Sequence, residues 1–421
     1  MLLSLRVNNF LIYNSEVEFS MRANMHYKRF PNNVATMNGV NALKTAILIG
    51  PNNSGKTNFV RMIAALKNIM LGRIVDLNGN LFSNNPIIEI AVSFLECGAV
   101  NLFEFKYDVQ KSEYVYERFA QNEGNEFKND KMKDLLIRDV RNKKFVTEDE
   151  GLETAMKVAA RNNILVYLVD TEGFPSLNRI KNVMVTFASK IDIVDMNNIP
   201  IKKTIEMLKA SDVVHQKIAN FVLNADLYLD DFRYLNDDEV KIVLTAQNVG
   251  DAKPQENALR SVAPLTEMLH LVSVYKGVPV PSMLFDSTGT KKMAALASYV
   301  IDALENGRIL VVDELDNSLH FRLTRAIIAL FNNELNTDAQ LIATVHDVSL
   351  LDCQSLFRKE QIWFTHKDLE NAYLYSLAEF TTEKTGVRDT SDLIEKYRKG
   401  VFGALPEPDL FQSLLEVKHC G

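Results

Sequence analysis

The sequence predicts an α/β fold with an additional antiparallel β lobe. A glycine-rich turn at 50–57 stands between the apolar run 46–49 and the helix-like run 58–66. A second apolar run, 309–312, ends in two adjacent carboxylates, and a third, 341–345, ends in a histidine. Because α/β sheets bind their ligands at the carboxyl ends of the strands, we expect these segments to meet in one site.

The composition is typical of a globular protein with a full core. Of the 421 residues, 47% are hydrophobic and 24% are charged. The length exceeds that of a usual domain, so we expect two units, or one domain with a large insertion. No apolar run approaches the roughly 18 residues that span a bilayer, and the N-terminus lacks a signal-peptide core. We therefore expect a cytoplasmic protein with no membrane partner.

Net charge and cysteine content exclude few classes of function. The net charge of -7 argues against a globally basic nucleic-acid binder, but it leaves room for a local basic groove. Nucleic acid therefore stays open as a partner. Cys97, Cys353 and Cys420 are widely separated and form no CxxC pair, so the sequence implies neither a disulfide framework nor a zinc site.

Local patterns divide the chain into three parts. The first, 1–119, is predicted to be the N-terminal half of the α/β unit. It opens with a β-hairpin within 1–20, because apolar and polar residues alternate there on both sides of a turn-prone segment. The polar stretch 22–41 is interpreted as a loop. Three strand-like runs are predicted to form the antiparallel lobe: 88–94, 102–107 and 114–119.

The middle and last parts differ in character. The segment 120–225 is charged and favours helix, and we predict a mainly helical insertion with helices at 130–136, 151–161 and 201–208. The last part, 226–421, is predicted to be the C-terminal half of the α/β unit. It has strand-like alternation at 239–244 and 269–274 before its motifs begin.

The turn at 50–57 has the composition and the strand-to-helix context of a P-loop. Gly50 and Gly55 let the backbone wrap closely around phosphates, because no Cβ intervenes. Lys56 is expected to reach the β- and γ-phosphates of ATP, and the Thr57 hydroxyl is expected to ligate Mg²⁺. The predicted ATP-binding residues of this turn are Gly50, Asn52, Asn53, Ser54, Gly55, Lys56, Thr57 and Asn58.

The acids after the second apolar run complete this chemistry. Four apolar residues in a row indicate a strand buried on both faces. Carboxylates are rarely placed at the end of such a strand without a partner or a function, so Asp313 and Glu314 are candidate functional residues. Asp313 is predicted to hold Mg²⁺ through water. Glu314 is predicted to orient and polarise the water that attacks ATP. Paired acids can also serve only as caps for a following helix, but the P-loop upstream favours catalysis.

Two further polar positions lie near predicted strand and helix ends. Ser287 and Gly289 precede a helix of 3.6-residue period that stops at 306–307, so they can offer a hydroxyl and backbone N–H groups to an anion. Serine is also simply a good N-cap. His346 follows the third apolar run, where it can hydrogen-bond a γ-phosphate and the catalytic glutamate.

The ordered segments 50–57, 287–292, 309–320 and 344–347 resemble those of ABC-type ATPases of the SMC/RecF/RecN group. More narrowly, they resemble the AAA-family ATPases of abortive-infection operons, of the RloA/AbiL/AriA type, and this likeness includes the segments 361–364 and 397–406. The resemblance implies that Ser287 and Gly289 form a signature that contacts ATP on another subunit. It also implies that Asp316 lies in the D-loop and that His346 is the switch histidine. Gln110 and Gln121 both stay open as the Q-loop glutamine.

Three functions compete on this basis. The first is a defence ATPase that senses an invader and controls a separate effector, expected to be a nuclease from the same operon. The second is a RecF-like DNA repair or replication ATPase. A transporter subunit is disfavoured by the long spacing between Thr57 and Ser287 and by the absence of the transporter signature.

The resemblance and the chain order also predict an assembly. The P-loop and Ser287 are expected to lie apart in one chain, so that composite ATP sites form between subunits of a homodimer or higher oligomer. The effector is expected to contact either 120–225 or the tail after 397, because we expect neither to be needed to build the ATP site.

Overall fold

A six-stranded sheet forms the centre of the fold. The computed structural model describes residues 1–122, 132–225, 228–246, 269–388 and 391–405. The strands are β1 Leu2–Asn8, β2 Val17–Ser20, β3 Val34–Met37, β4 Val40–Leu43, β5 Thr45–Ile49, β6 Ile87–Glu96, β7 Ala99–Asp108, β8 Glu113–Asn122, β9 Met132–Asp139, β10 Lys144–Thr147, β11 Ile191–Asp195, β12 Asp231–Tyr234, β13 Leu271–Tyr275, β14 Val278–Pro281, β15 Ile309–Asp313, β16 Gln340–Val345, β17 Ile362–Lys367 and β18 Ala372–Ser376. The α-helices within the described residues are α1 Lys56–Met70, α2 Leu152–Val158, α3 Pro175–Ser189, α4 Lys202–Ala210, α5 Asp212–Leu223, α6 Asp237–Ala246, α7 Ser282–Phe285, α8 Thr288–Asn306, α9 Phe321–Phe331, α10 Thr382–Thr385 and α11 Leu393–Arg398.

The central sheet has the order β11-β15-β16-β5-β17-β18. Its first five strands are parallel, and β18 runs antiparallel to β17. Every residue of β5, β15 and β16 is buried, as expected for strands covered on both faces. Along β15, Val311 packs in one core with α1 and α3, whereas Leu310 and Val312 pack in a second core with α8 and α9. The sheet is therefore the middle of three layers.

The antiparallel lobe is a seven-stranded sheet with the order β10-β9-β8-β7-β6-β1-β2. The predicted hairpin within 1–20 is the pair of β1 and β2, which is confirmed. The three predicted lobe strands are β6, β7 and β8, each longer than the sequence indicated. The predicted fold class, α/β with an antiparallel β lobe, is confirmed by these two sheets.

Two predictions in the first half of the chain are wrong. The segment 22–41, interpreted as a loop, contains β3 and leads into β4, and these two strands form a hairpin. The helix predicted at 130–136 lies partly outside the described residues, and its described part belongs to β9. There Arg138, buried, donates to the buried Glu117 of β8 over 3.0 Å. Pairing with β8 thus overrides the local helical preference of this charged segment.

The strand predicted at 239–244 is also wrong, because these residues lie in α6. Asn236 caps this helix: its Oδ1 accepts hydrogen bonds from the backbone N–H groups of Asp238 and Glu239 at 3.1 and 3.0 Å. The Glu239 carboxylate in turn accepts from the Asn236 N–H at 2.9 Å. This reciprocal capping box and three acids in the first turn favour helix strongly enough to outweigh the apolar alternation.

The segment 120–225 is part of the central sheet as well as a helical segment. From 152 onwards it is mainly helical, but it also supplies β11, which pairs in parallel with β15. Asp192 of β11 accepts hydrogen bonds from Arg308 at 2.7 and 3.0 Å and from Lys203 of α4 at 2.8 Å. Burial acts to raise the pKa of Asp192, but the hydrogen bonds from Arg308 and Lys203 outweigh it, and the pKa lies below its usual value. This segment therefore contributes a strand to the central sheet, which the predicted helical insertion did not include, while the three-part division of the chain stays a prediction.

None of the described helices is both long and apolar enough to cross a bilayer. Cys420 lies outside the described residues, whereas Cys97 is exposed and Cys353 is buried, and the two form no disulfide with a described residue.

Candidate functional site

The glycine-rich turn joins β5 to α1, as predicted. At Gly50 and Gly55 there is no room for the Cβ of a larger residue. A Cβ on Gly50 would lie 2.3 Å from the carbonyl oxygen of Thr365, a backbone atom that cannot rotate away. Gly55 has a φ of 117°, and its Cβ would lie 2.9 Å from Ile12 and 3.0 Å from the Tyr13 hydroxyl. That hydroxyl donates to the Gly55 carbonyl at 3.1 Å, so β-lobe residues brace the turn from outside.

Some side chains of the turn are held by hydrogen bonds within the protein, and others are exposed. The Ser54 hydroxyl donates to the Pro51 carbonyl at 2.8 Å and lies 2.5 Å from the Thr365 hydroxyl. Asn52 and Asn53 are exposed, and Asn53 adopts a φ of 61°, in the left-handed region where asparagine is tolerated. The backbone of the turn is thus fixed from one side, while its other side faces a cleft.

Lys56, the first residue of α1, is buried and closes the turn on itself. Its ammonium group donates to the Gly50 carbonyl at 2.6 Å and to the Pro51 carbonyl at 2.9 Å. Burial lowers the pKa of Lys56, and the carboxylates of Asp313, Glu314 and Asp316 act in the opposite direction. The Lys56 charge is therefore within electrostatic reach of the acids that follow β15. Thr57 and Asn58 occupy the first turn of α1, with Thr57 exposed.

Thr344, on the neighbouring strand β16, positions both predicted acids. Its hydroxyl donates to Asp313 Oδ1 at 2.5 Å and accepts a hydrogen bond from the Glu314 N–H at 2.8 Å. Glu314 has a φ of 56°, in the left-handed region, so the chain turns sharply directly after β15. Sequence reasoning missed Thr344, although its place two residues before His346 on a buried strand was a signal that could have found it.

Two more side chains reach the Glu314 carboxylate. The Asn317 amide donates to Oε2 at 2.9 Å, and Nε2 of His346 lies 3.8 Å from Oε1. The predicted neighbourhood of Glu314 and His346 is therefore present. A carboxylate held from one side by an amide and facing an imidazole is well placed to orient a water molecule.

Asp316 connects the acids to the histidine. Its Oδ2 accepts hydrogen bonds from the N–H groups of His346 at 2.7 Å and Asp347 at 2.6 Å. Its Oδ1 is buried and has no hydrogen-bond partner within the described part of the chain. These hydrogen bonds tie the loop after β15 to the end of β16. Asp316 Oδ1 can accept a further hydrogen bond.

The predicted signature lies beside this loop. Ser287 caps α8, accepting from the Thr290 N–H at 3.1 Å, so its N-cap role is real. A Cβ on Gly289 would lie 2.7 Å from the Ser318 carbonyl, which shows how closely α8 approaches the loop after β15. The buried Asp286 fixes the preceding turn, accepting from the hydroxyls of Ser273, Ser282 and Tyr275.

A cavity of about 470 Å³ opens beside the glycine-rich turn. The described residues that line it are Gly50, Pro51, Asn52, His346, Val348, Tyr397, Arg398 and Leu405. A second cavity, of about 410 Å³, lies along 51–54 and is walled by the hairpin 366–369 and again by Leu405. Among the described residues, Ser287 lines neither cavity. The structure therefore brings the turn and His346 together at one cavity, and Ser287 is not among the described residues that line it.

The residues present fit a Mg²⁺ ion bound with a nucleotide. Magnesium is usually held by one or two carboxylate or hydroxyl oxygens together with phosphate oxygens and water. Asp313 offers a carboxylate whose Oδ1 is already oriented by Thr344, and Thr57 offers an exposed hydroxyl at the start of α1. Gln110 and Gln121 lie in the β lobe, where the Gln121 amide donates to Asn101 at 3.0 Å, and the Q-loop glutamine stays unassigned.

Comparison with solved structures finds heads of SMC proteins. One is the SMC head bound to the C-winged helix domain of ScpA, with 13% sequence identity and a TM-score of 0.47 over 91% of this chain and 99% of that chain. Another is the SMC head domain from Thermotoga maritima, with 12% identity and a TM-score of 0.43 over 89% of this chain and 98% of that chain. A third is the Smc head domain with an extended coiled coil bound to the C-terminal domain of ScpA derived from Pyrococcus furiosus, with 12% identity and a TM-score of 0.40 over 94% of this chain and 99% of that chain. No curated protein matches the sequence.

A family profile matches most of the chain. It is described as "AAA domain, putative AbiEii toxin, Type IV TA system", and it covers residues 46–352. The match begins at the strand before the glycine-rich turn and ends after His346, so it takes in both halves of the site. The chain belongs to this AAA-domain family.

Proposed function

We propose that the protein is a Mg²⁺-dependent ATPase that acts as sensor and scaffold in a bacterial anti-phage system and controls a separate effector. The observation that carries the ATPase part is the arrangement of Glu314, held at a strand end by Thr344 and Asn317 and facing His346. Thr344 and His346 lie on and just after β16, which pairs with β5, the strand that leads into the glycine-rich turn, and Glu314 follows β15 on the other side of β16.

Each residue has a distinct role in the proposed reaction. Lys56 exchanges its hydrogen bonds to the turn carbonyls for the β- and γ-phosphates, with backbone N–H groups of 52–58 around them. Thr57 and Asp313 hold Mg²⁺, which when bound neutralises charge on the phosphate oxygens. Glu314 orients the attacking water and takes up its proton, while His346 contacts the γ-phosphate.

ATP binding tests the first half of this proposal. Lys56→Ala removes the ammonium group and should abolish ATP binding measured by equilibrium titration. Arg61→Ala, a charge removal at an exposed site on the same helix α1, is the matched control and should bind ATP normally. Equal ATP affinity in both variants would remove the glycine-rich turn from the proposed site.

We also propose that active sites form between two chains. Within the described residues, Ser287 lines neither cavity at the turn, so a γ-phosphate bound there needs a signature from a neighbour. Mixing Lys56→Ala with Ser287→Arg chains should then restore one composite site per heterodimer and part of the ATPase activity. A monomer with full activity at high dilution, measured by sedimentation, would contradict this assembly.

The effector is proposed to be a separate nuclease encoded in the same operon. The family description, which names a toxin and a toxin–antitoxin system, supports a defence role. ATP-driven closure of two chains changes the surface offered to a partner, and a partner that prefers one arrangement is held or released. Co-expression with the adjacent operon protein and affinity purification should recover a complex. Protection from phage by this chain without a neighbouring gene would defeat the two-component scheme.

A RecF-like role at DNA is the alternative outcome. Two ion pairs on the lobe count against it: Lys106 lies 2.9 Å from Glu89, and Arg118 lies 2.7 Å from Asp134. Such matched pairs offer little net charge to a phosphate backbone. Tight, salt-dependent DNA binding by the purified protein would favour the alternative.

A further inference from the structure

The segment 397–405 forms one wall of the cavity beside the glycine-rich turn. Tyr397, Arg398 and Leu405 line this cavity opposite Gly50–Asn52 and His346, and Leu405 also lines the second cavity along the turn. The sequence-based expectation that the tail is not needed for the nucleotide site is therefore wrong. The tail is part of the site's surface.

Aromatic packing fixes this wall relative to the turn. Phe402 is buried and stacks on Phe364 of β17, with ring centroids 4.9 Å apart and planes 14° from parallel. Phe364 pairs in register with Ile49, the residue immediately before Gly50. The tail is also closed on itself, since the Tyr397 hydroxyl donates to the Ala404 carbonyl at 2.7 Å. A short, packed path therefore connects the tail to the glycine-rich turn.

Arg398 carries the charge of this wall. It is exposed at the end of α11, and within the described ranges no carboxylate pairs with it. The described residues lining the cavity include no acid, and Arg398 is the single permanently charged side chain among them. Its neighbour Lys399, by contrast, is engaged with Glu395 one helical turn back. A guanidinium with no carboxylate partner among the described residues, at a cavity to which those residues contribute no acid, is suited to bind an anion through two parallel N–H groups.

We propose that Arg398 binds the terminal phosphate of the nucleoside triphosphate held by the same chain's glycine-rich turn. This inference rests on the proposed ATP-binding function. The γ-phosphate is the part of the nucleotide assigned to Arg398 because His346, which lines the same cavity, lies beside Glu314, where the attacking water is placed. Arg398 thereby distinguishes ATP from ADP and couples the nucleotide to the tail.

The test compares triphosphate and diphosphate binding in the full chain. Arg398→Ala should weaken binding of a non-hydrolysable ATP analogue with Mg²⁺ about tenfold, the typical effect of losing a charge-assisted contact at an exposed position, and should change ADP binding less than twofold. Lys399→Ala, which removes the same charge from the adjacent position, is the matched control and should leave both affinities unchanged. Arg398→Lys keeps the charge without the fork and should fall between wild type and Arg398→Ala.

The outcomes separate this inference from the proposed function. If wild type binds the ATP analogue, Lys56→Ala does not, and Arg398→Ala behaves as Lys399→Ala does, the ATP site stands and the role of Arg398 is refuted. Equal weakening of the analogue and ADP by Arg398→Ala also refutes a γ-phosphate contact. If wild type binds neither nucleotide, the proposed function and this inference fall together. Thermal melting of Arg398→Ala close to wild type shows that the tail stays packed.

Discussion

Replacing Thr344 by valine tests whether this hydroxyl holds both acids of the site. Valine keeps the shape of the side chain but leaves the part-buried Glu314 N–H without its acceptor and removes a donor from the Asp313 carboxylate. An unsatisfied buried N–H costs about 1–3 kcal/mol, and a lost hydrogen bond to a charged group costs about 1.5–3 kcal/mol. Because the two losses share one side chain and are not fully additive, we expect the free energy of unfolding to fall by about 2–4 kcal/mol.

Thr324 provides a matched control for this change. It is a fully buried threonine on α9 whose hydroxyl has no hydrogen-bond partner among the described residues. Thr324→Val should therefore leave stability unchanged or raise it slightly, since an apolar group replaces an unsatisfied one. Urea unfolding of both variants, with turnover measured in parallel, separates the cases. Equal unfolding free energies for the two variants, or full turnover in Thr344→Val, would refute the positioning role of Thr344.

Two further predictions concern the turn and the edge of the central sheet. Gly50→Ala places a Cβ 2.3 Å from the Thr365 carbonyl oxygen, so it should lower the unfolding free energy by about 3 kcal/mol and abolish ATP binding. Gly173→Ala is the control, because nothing lies within 4 Å of the added Cβ, and it should change neither stability nor ATP binding. Asp192→Asn should destabilise by about 2 kcal/mol near neutral pH, measured by urea unfolding against the exposed control Glu206→Gln. Because the folded-state pKa of Asp192 is depressed, its contribution to the free energy of unfolding is present above the unfolded pKa of about 3.9 and is lost as the pH falls through the folded pKa. The unfolding free energies of wild type and Asp192→Asn should therefore converge in acid. A gap that persists or widens below that pH would contradict the ion-pair explanation.

The sequence predicted those parts of the site whose information is local. The turn 50–57 and the acids at 313–314 are contiguous, and their flanking strands are apolar enough to be recognised as buried. The stop of α8 was predicted as well, because Gly307 adopts the left-handed conformation that ends helices. Such features depend on few neighbours, which is why short patterns predict them.

The parts that were not predicted depend on distant contacts. Met132–Asp139 becomes a strand because β8 offers it an edge and Glu117 a partner for Arg138. Thr344 gains its role only where β16 lies beside β15, and Arg398 only where the stacking of Phe402 on Phe364 brings the tail to the turn. The helix at 237–246 is a different case, because its capping box was visible in the sequence and was outweighed by an apolar alternation.

The fate of ATP bound to the Glu314→Gln protein tests the central claim most directly. The substitution keeps the shape of the side chain and removes the carboxylate proposed to accept the proton of the attacking water. In a single-turnover experiment with labelled ATP and Mg²⁺, the wild type should convert its bound ATP to ADP, whereas Glu314→Gln should retain ATP and turn over at a rate lower by roughly 10²-fold or more. Conversion of ATP to ADP at the same rate in both proteins would contradict the assignment of Glu314 and of the site built around it.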